Sequence, residues 1–207
     1  MRPRRRDQRG ETLVGLLVGM AMGLLVVTAG AHMLSQLLRG HHAALQDSHL
    51  QQDLHFAMDL MAREIQNAQY VAHAWTSRSP SLCSDPFCGV SDFQLAADLI
   101  AFSVDRNHNG AQDNNECMGF RVQDGVLSLR TGCQGGGWQP LTDQTSVVVT
   151  GLKTQLHCPK VAGWLWRQLD VQIDAHWPHQ PTRTLHVQRS VAMRNPVPAT
   201  LQARFCP

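Results

Sequence analysis

Between Thr12 and Leu38 the chain carries no formally charged side chain, His32 being counted as neutral. An uncharged stretch of that length is not the surface of a helix in water. No proline follows it as far as Tyr70, so nothing there forces a helix to break. The signatures G-x-S-x-G, H-E-x-x-H and the Walker loop are missing, and no local motif gathers serine, histidine and aspartate into a triad. The chain is therefore not expected to be an enzyme. No C-x2-C pair occurs, which argues against a structural zinc site. A true basic excess is also lacking. The formal charge is +2, but residues 1–10 hold five arginines and one aspartate, and the remainder has 13 basic and 15 acidic side chains. A nucleic-acid partner is not expected from that balance. There is no internal repeat and no low-complexity tract.

What is present begins with a basic leader: Arg2, Arg4, Arg5, Arg6 and Arg9. The apolar run follows at once. A helix crosses a bilayer core with ~20 apolar residues, and Leu13 to Ala31 supplies them. Arginines on one side only place that end in the cytoplasm and the rest of the chain outside. A secretory signal peptide cut after Ala31 is the alternative, because Ala29-Gly30-Ala31 has the small residues of a cleavage site. The length of the run and the helical pattern beyond Ala31 favour a retained span. Gly15, Gly19 and Gly23 recur every four residues, a small-xxx-small spacing that lets another helix approach closely.

From Gly40 the pattern becomes amphipathic. Leu50, Leu54, Ala57, Met61, Ile65 and Ala68 fall three or four apart and form one helical stripe. His41, His42, His49 and His55 do not converge with carboxylates on one face and read as solvated positions. The helix is expected to end near Tyr70, before a loop at 76–92. Strand-like runs follow at 99–104, 117–122, 126–130 and 146–156. Alternation then joins Leu165, Leu169, Val171, Ile173, Ala175 and Trp177, and separately Leu185, Val187, Val191 and Met193. The expected fold class is α+β, with a long helix packed on a mostly antiparallel β head. Trp164 and Trp166 share one face, which packing on the strand explains, with a contact surface as the alternative, whereas Trp177 falls with the apolar set.

Cys83, Cys88, Cys117, Cys133, Cys158 and Cys206 all lie in the head. An even count outside the cytoplasm points to disulfides, and six cysteines allow 15 pairings. Neighbour pairing would join Cys83 to Cys88, Cys117 to Cys133, and Cys158 to Cys206. One stretch has the donor spacing of a calcium loop. Asp105, Asn107, Asn109, Asp113 and Glu116 stand at positions 1, 3, 5, 9 and 12, glycine is at 6, and Ala111 offers a backbone carbonyl at 7. Strand-like flanks and Gln112 at position 8 depart from the EF-hand pattern. An Asx-rich turn is the competing reading.

Gly10, followed by Glu11-Thr12-Leu13-Val14 and a long apolar helix, resembles the processing site of type IV prepilins. His55 to Ile65 and Ser190 to Asn195 are similar to segments of PilW-like minor pilins and GspJ-like pseudopilins. The resemblance implies a prepilin peptidase that cuts between Gly10 and Glu11 and methylates the new N-terminus at Glu11. It implies a leader at 1–10, a membrane half of the helix at 11–39, an amphipathic half at 40–70 and a β-rich head at 71–207. The implied partners are the prepilin peptidase, other minor pilins, the major pilin and the inner membrane, with the head periplasmic or carried into the extracellular pilus. The implied work is to prime or cap a filament. A type II secretion pseudopilin, a calcium-tuned adhesive tip head and a secreted enzyme released at Ala31 are the alternatives. Two residues depart from the family: Glu11 stands where phenylalanine or methionine is usual, and Gly15 where glutamate is usual. That glutamate offsets a neighbour's buried ammonium, since an unpaired charge among apolar helices is costly. Either Glu11 pairs with its own ammonium or the subunit sits at a filament tip.

Overall fold

The computed structural model describes residues 13–72, 87, 92–134, 137–178 and 180–206 of the 207-residue chain. One helix, α1 (Leu13–Gln66), opens it. The chain divides into two compact units, Met1–His49 and Leu50–Pro207. In the first unit every described side chain from Leu13 to His41 is exposed. This stretch is the one helix among the described residues long and apolar enough to cross a membrane.

The second unit holds the last turns of α1 and three antiparallel sheets. The first sheet is a meander of β1 (Gln94–Ala96), β2 (Leu99–Ser103), β3 (Cys117–Gln123), β4 (Val126–Thr131) and β5 (Trp138–Pro140), in that spatial order. Asp124 and Gly125 close its central hairpin with φ of 52° and 77°. Two positive φ values in a two-residue loop match the strand twist, and a glycine makes the second inexpensive. The second sheet has the order β10 (Gln180–Ala192), β9 (Gln168–Trp177), β6 (Val148–His157). The third is small: β11 (Val197–Pro198), β8 (Trp164–Leu165), β7 (Lys160–Val161). A last short helix, α2 (Gln202–Phe205), ends the described chain.

The core forms where three apolar faces meet. The stripe Leu50, Leu54, Ala57, Met61, Ile65 and Ala68 is buried, and Met58 and Ala62 widen it. It joins Ile100, Phe102, Met118, Phe120 and Leu127 of the first sheet, and Leu152, Leu169, Val171, Ile173, Ala175, Val187 and Val191 of the second. Each large aliphatic side chain so buried contributes about 1.5–3 kcal/mol. The alternation from Leu165 to Trp177 is shared between β8 and β9. The strand is interrupted at Trp166 and Arg167, where the Trp166 amide bonds the Pro159 carbonyl (3.0 Å) and the Arg167 carbonyl accepts the Met193 amide (2.9 Å), but the in-and-out alternation runs on through both. Disulfides join Cys117 to Cys133 and Cys158 to Cys206, two of the three neighbour pairs expected from spacing. Cys83 and Cys88 lie outside the described residues. The architecture is α+β and pilin-like: an N-terminal apolar helix and a mostly antiparallel β head held by disulfides.

Candidate functional site

The described part of the first unit is helical, with an apolar surface from Leu13 to Leu38. Leu13, Leu16, Leu17, Val18, Met20, Met22, Leu24 and Leu25 are all exposed. Two hydroxyl groups of the apolar stretch are satisfied within the helix. Thr28 Oγ1 donates to the Leu24 and Leu25 carbonyls at 2.9 and 3.0 Å, and Ser35 Oγ to the His32 carbonyl at 3.0 Å. A helix in lipid needs this, because no water is available to those groups. A Cβ added at Gly19 or Gly23 would meet nothing within 4 Å, so both glycines leave open space on the surface. Gly15 is helical and exposed. Gly10 and Glu11 lie outside the described residues. His41, His49 and His55 are exposed; the His42 side chain is not among those described.

In the second unit α1 ends in a clasp built by two distant segments. Gln69 takes a left-handed φ of 57°, which stops the helix. The Arg194 amide then bonds the Gln66 carbonyl (2.9 Å), and Asn195 Nδ2 reaches the Ala68 carbonyl (3.5 Å). Through these contacts the segment Ser190 to Asn195 supplies partners for carbonyls that a helix terminus leaves unpaired. From the other side the Gln69 amide bonds the Ser103 carbonyl (2.8 Å) and the Asp105 amide bonds the Tyr70 carbonyl (2.9 Å). Arg106 pairs with Glu64 at 2.7 Å, and Arg189 with Asp59.

The loop from Asp105 to Glu116 is part of that clasp. Asp105 is buried and accepts the amides of Asn109 (3.1 Å), Gly110 (3.0 Å) and Ala72 (2.8 Å). Glu116 is buried and accepts those of Arg106 (2.7 Å), Asn107 (3.3 Å) and Asp113 (2.9 Å). Asn107 and Asn109 turn their side-chain amides toward Asp113 Oδ2 at 2.5 and 3.1 Å. The Ala111 amide bonds Asn109 Oδ1 at 2.7 Å. The structure thus gathers the loop's candidate ligands around its own backbone amides. Among the described residues no group of three or more histidine, cysteine, aspartate or glutamate side chains is spaced to hold a metal.

A second feature of the clasp is a buried polar chain that the alternation pattern passes over. Arg167 is 2 % exposed. Its guanidinium donates to Gln69 Oε1 and to the Asn195 carbonyl (3.5 Å), and lies 5.2 Å from the Phe205 ring. Its Nε has no hydrogen-bond partner. Gln69 in turn bonds Asp92, which also accepts the Ser103 amide and hydroxyl. Burial pushes the guanidinium down to about 10, opposed by the Asp92 charge. Burial likewise pushes the Asp92 carboxyl up, opposed by Ser103, Gln69 and Arg167. The signal for this chain was in the parity. Arg167 stands in step with Leu165 and Leu169, where an inward-facing side chain is required.

Residues 43–193 match the family model of prepilin peptidase-dependent protein B. The chain belongs to this family. The match begins after the apolar run and covers the amphipathic part of α1 and both large sheets, so it does not rest on the leader motif. Prepilin peptidase-dependent protein B of Escherichia coli (strain K12) is 23% identical over 150 residues, covering 69% of this chain and 74% of that protein. No solved structure matches. Family membership, the apolar N-terminal helix and the disulfide-bearing β head together make this a pilin-like protein with a helix suited to a single-pass anchor.

Proposed function

We propose that the chain is a minor pilin of the PilW-like kind, made as a prepilin and matured by cleavage between Gly10 and Glu11 with methylation of Glu11. The Escherichia coli relative's name ties that protein to prepilin peptidase, and the same dependence is proposed here. The observation that carries the reading is the continuity of α1. One helix runs from the apolar surface at Leu13 through Leu50, Leu54, Ala57, Met61 and Ile65 of the packed stripe and ends at Gln66. Cleavage after Ala31 would cut inside that helix, which speaks for a retained segment. The mature helix would pack beside those of other minor pilins and the major pilin in the inner membrane, with Gly15, Gly19 and Gly23 permitting close approach. The head, periplasmic or exposed on the pilus, would prime or cap the filament. The work is packing, without a covalent step by this chain. A type II secretion pseudopilin would use the same helix in the same way.

N-terminal sequencing and intact mass of the mature protein test this, with and without the prepilin peptidase gene. N-methylated Glu11 is expected only when the peptidase is present. His32 as first residue would sink the proposal. Loss of pili in a deletion strain, with secretion unchanged, is expected for the pilus role; the converse points to the secretion system.

The loop supports a second reading. Asp105, Asn107, Asn109, Ala111, Asp113 and Glu116 keep the donor order of a calcium loop, and Asp105 holds the amides of positions 5 and 6. Calcium would replace the contacts of the two asparagine amides with Asp113. Calorimetry of the full chain is expected to show binding at millimolar calcium, and no heat there leaves the loop a hydrogen-bonded turn.

A further inference from the structure

The outer face of the first sheet carries two arginines without an acid. Gly119 is opposite Arg130 in the register of β3 and β4, Arg121 is opposite Ser128, and Arg130 is opposite Trp138 across β4 and β5. Trp138 lies across Gly119: a Cβ added there would meet its Cη2 at 3.2 Å and the Ile100 carbonyl at 3.3 Å. The glycine is thus what lets the ring approach the sheet so closely. Both guanidinium carbons then sit over this ring, Arg121 at 4.3 Å and Arg130 at 5.5 Å from its centroid.

Two like charges on one ring repel each other, and the ring quadrupole offsets only part of that. Neither guanidinium makes a hydrogen bond or ion pair among the described residues, and the Nε atoms of both are shielded from water without a partner. The neighbouring positions of the face are Leu99, Ala101, Gln123, Val126, Ser128 and Pro140. None can neutralise a cation. Two other arginines of the head have carboxylates: Arg106 has Glu64 and Arg189 has Asp59.

We propose that Arg121 and Arg130, held on Trp138, form a binding site for a carboxylate presented by another protein. A guanidinium offers a planar fork that matches a carboxylate with two parallel hydrogen bonds. The ring fixes both forks in place, so little side-chain entropy is lost when the anion arrives. The site is half-exposed, and in that setting an isolated ion pair is worth little. An acidic side chain on a protein surface is the better ligand, because the docking surface itself removes the water from the pair. The site stands whether or not the chain works in a filament.

The full-length chain in detergent micelles, with its disulfides formed and its tryptophans labelled with nitrogen-15, provides the test. Trp138→Phe assigns the Trp138 indole resonance. Hexaglutamate is titrated in, and sodium sulfate separately, each against sodium chloride of equal ionic strength. A saturable shift of the Trp138 indole with the peptide is expected. Arg121→Gln and Arg130→Gln should each weaken it on the order of tenfold. Should the glutamine variants lose the native indole pattern, Arg121→Lys and Arg130→Lys carry the test. They keep the charge and lose the fork, and weakening of severalfold is expected. No shift beyond the chloride control, or unchanged affinity in the variants, overturns the proposal. Saturation by sulfate without saturation by the peptide also overturns it, because the ligand would then be a free ion.

Discussion

Replacing Arg167 by alanine probes the clasp at its most buried point. The substitution removes the donor to Gln69 Oε1 and to the Asn195 carbonyl, and takes away the charge that opposes the rise of the Asp92 carboxyl. Two effects compete. Burying the guanidinium costs stability: a fall from 12.5 to about 10 corresponds to about 3 kcal/mol, which the variant regains. Against that, Gln69 Oε1 and the Asn195 carbonyl lose a donor, Asp92 loses a nearby opposite charge, and a void opens beside Phe205. Breaking a buried charged pair from one side has a net cost of about 3–5 kcal/mol. Here Gln69 stands between the two charges and one bond is long, so the low end applies, about 3 kcal/mol. Arg167→Met fills the space and should cost about 2 kcal/mol, and adding Asp92→Asn should recover at least about 1 kcal/mol of that. Urea unfolding of the disulfide-intact protein, followed by tryptophan fluorescence, measures all three. The sign with pH is also set. Burial raises the Asp92 carboxyl in the folded state, so its ionisation opposes folding and that cost is absent below its unfolded value of 3.8. The Arg167→Ala deficit should therefore be largest near neutral pH and shrink on acidification. A loss under about 0.5 kcal/mol at pH 7 would refute the idea that this guanidinium holds the clasp together.

Asp174 behaves in the opposite sense: burial would raise its carboxyl, but contacts from Lys153, Gln172 and His186 outweigh that and hold it at about 2. Its contribution is present above the unfolded value of 3.8 and is lost as pH falls through about 2. Lys153 is 71 % exposed, so Asp174→Asn should cost only about 1 kcal/mol at pH 7 and nothing near pH 2. The disulfides should differ by the chain they close. Cys158 and Cys206 are 48 residues apart and Cys117 and Cys133 are 16 apart. Paired serine substitutions should cost about 4 and about 3 kcal/mol, measured as midpoints of chemical unfolding. Gly15→Glu would supply the carboxylate that the resemblance to type IV prepilins implies at this position. A changed filament yield or subunit position in pilus preparations is expected, and an unchanged one counts against a special place for this subunit.

The helix and the inner faces were legible because they follow from periodicity alone. Leu50 to Ala68 keeps helical spacing and is buried throughout that stripe, and Leu169 to Ala175 alternates and is buried at every second residue. Such patterns are local: one residue type repeated at the period of one backbone conformation suffices. The charge-free run from Thr12 to Leu38 likewise states its solvent without reference to any other part of the chain.

Contacts between remote segments were not legible in that way. Arg167 meets Gln69 across 98 residues, and Arg194 meets Gln66 across 128. The donor order of the loop at Asp105 could be read from sequence, but its hold on the end of α1 could not. That hold needs Tyr70 and Ala72 to arrive at Asp105 from another element. The same is true of Arg121 and Arg130, nine positions apart and placed over one ring by the β3–β4 register and by the missing side chain of Gly119. Periodicity decided which faces are apolar, since burial is a sum over single residues. Partnership between polar groups requires two atoms within about 3 Å, and only the folded chain brings them there.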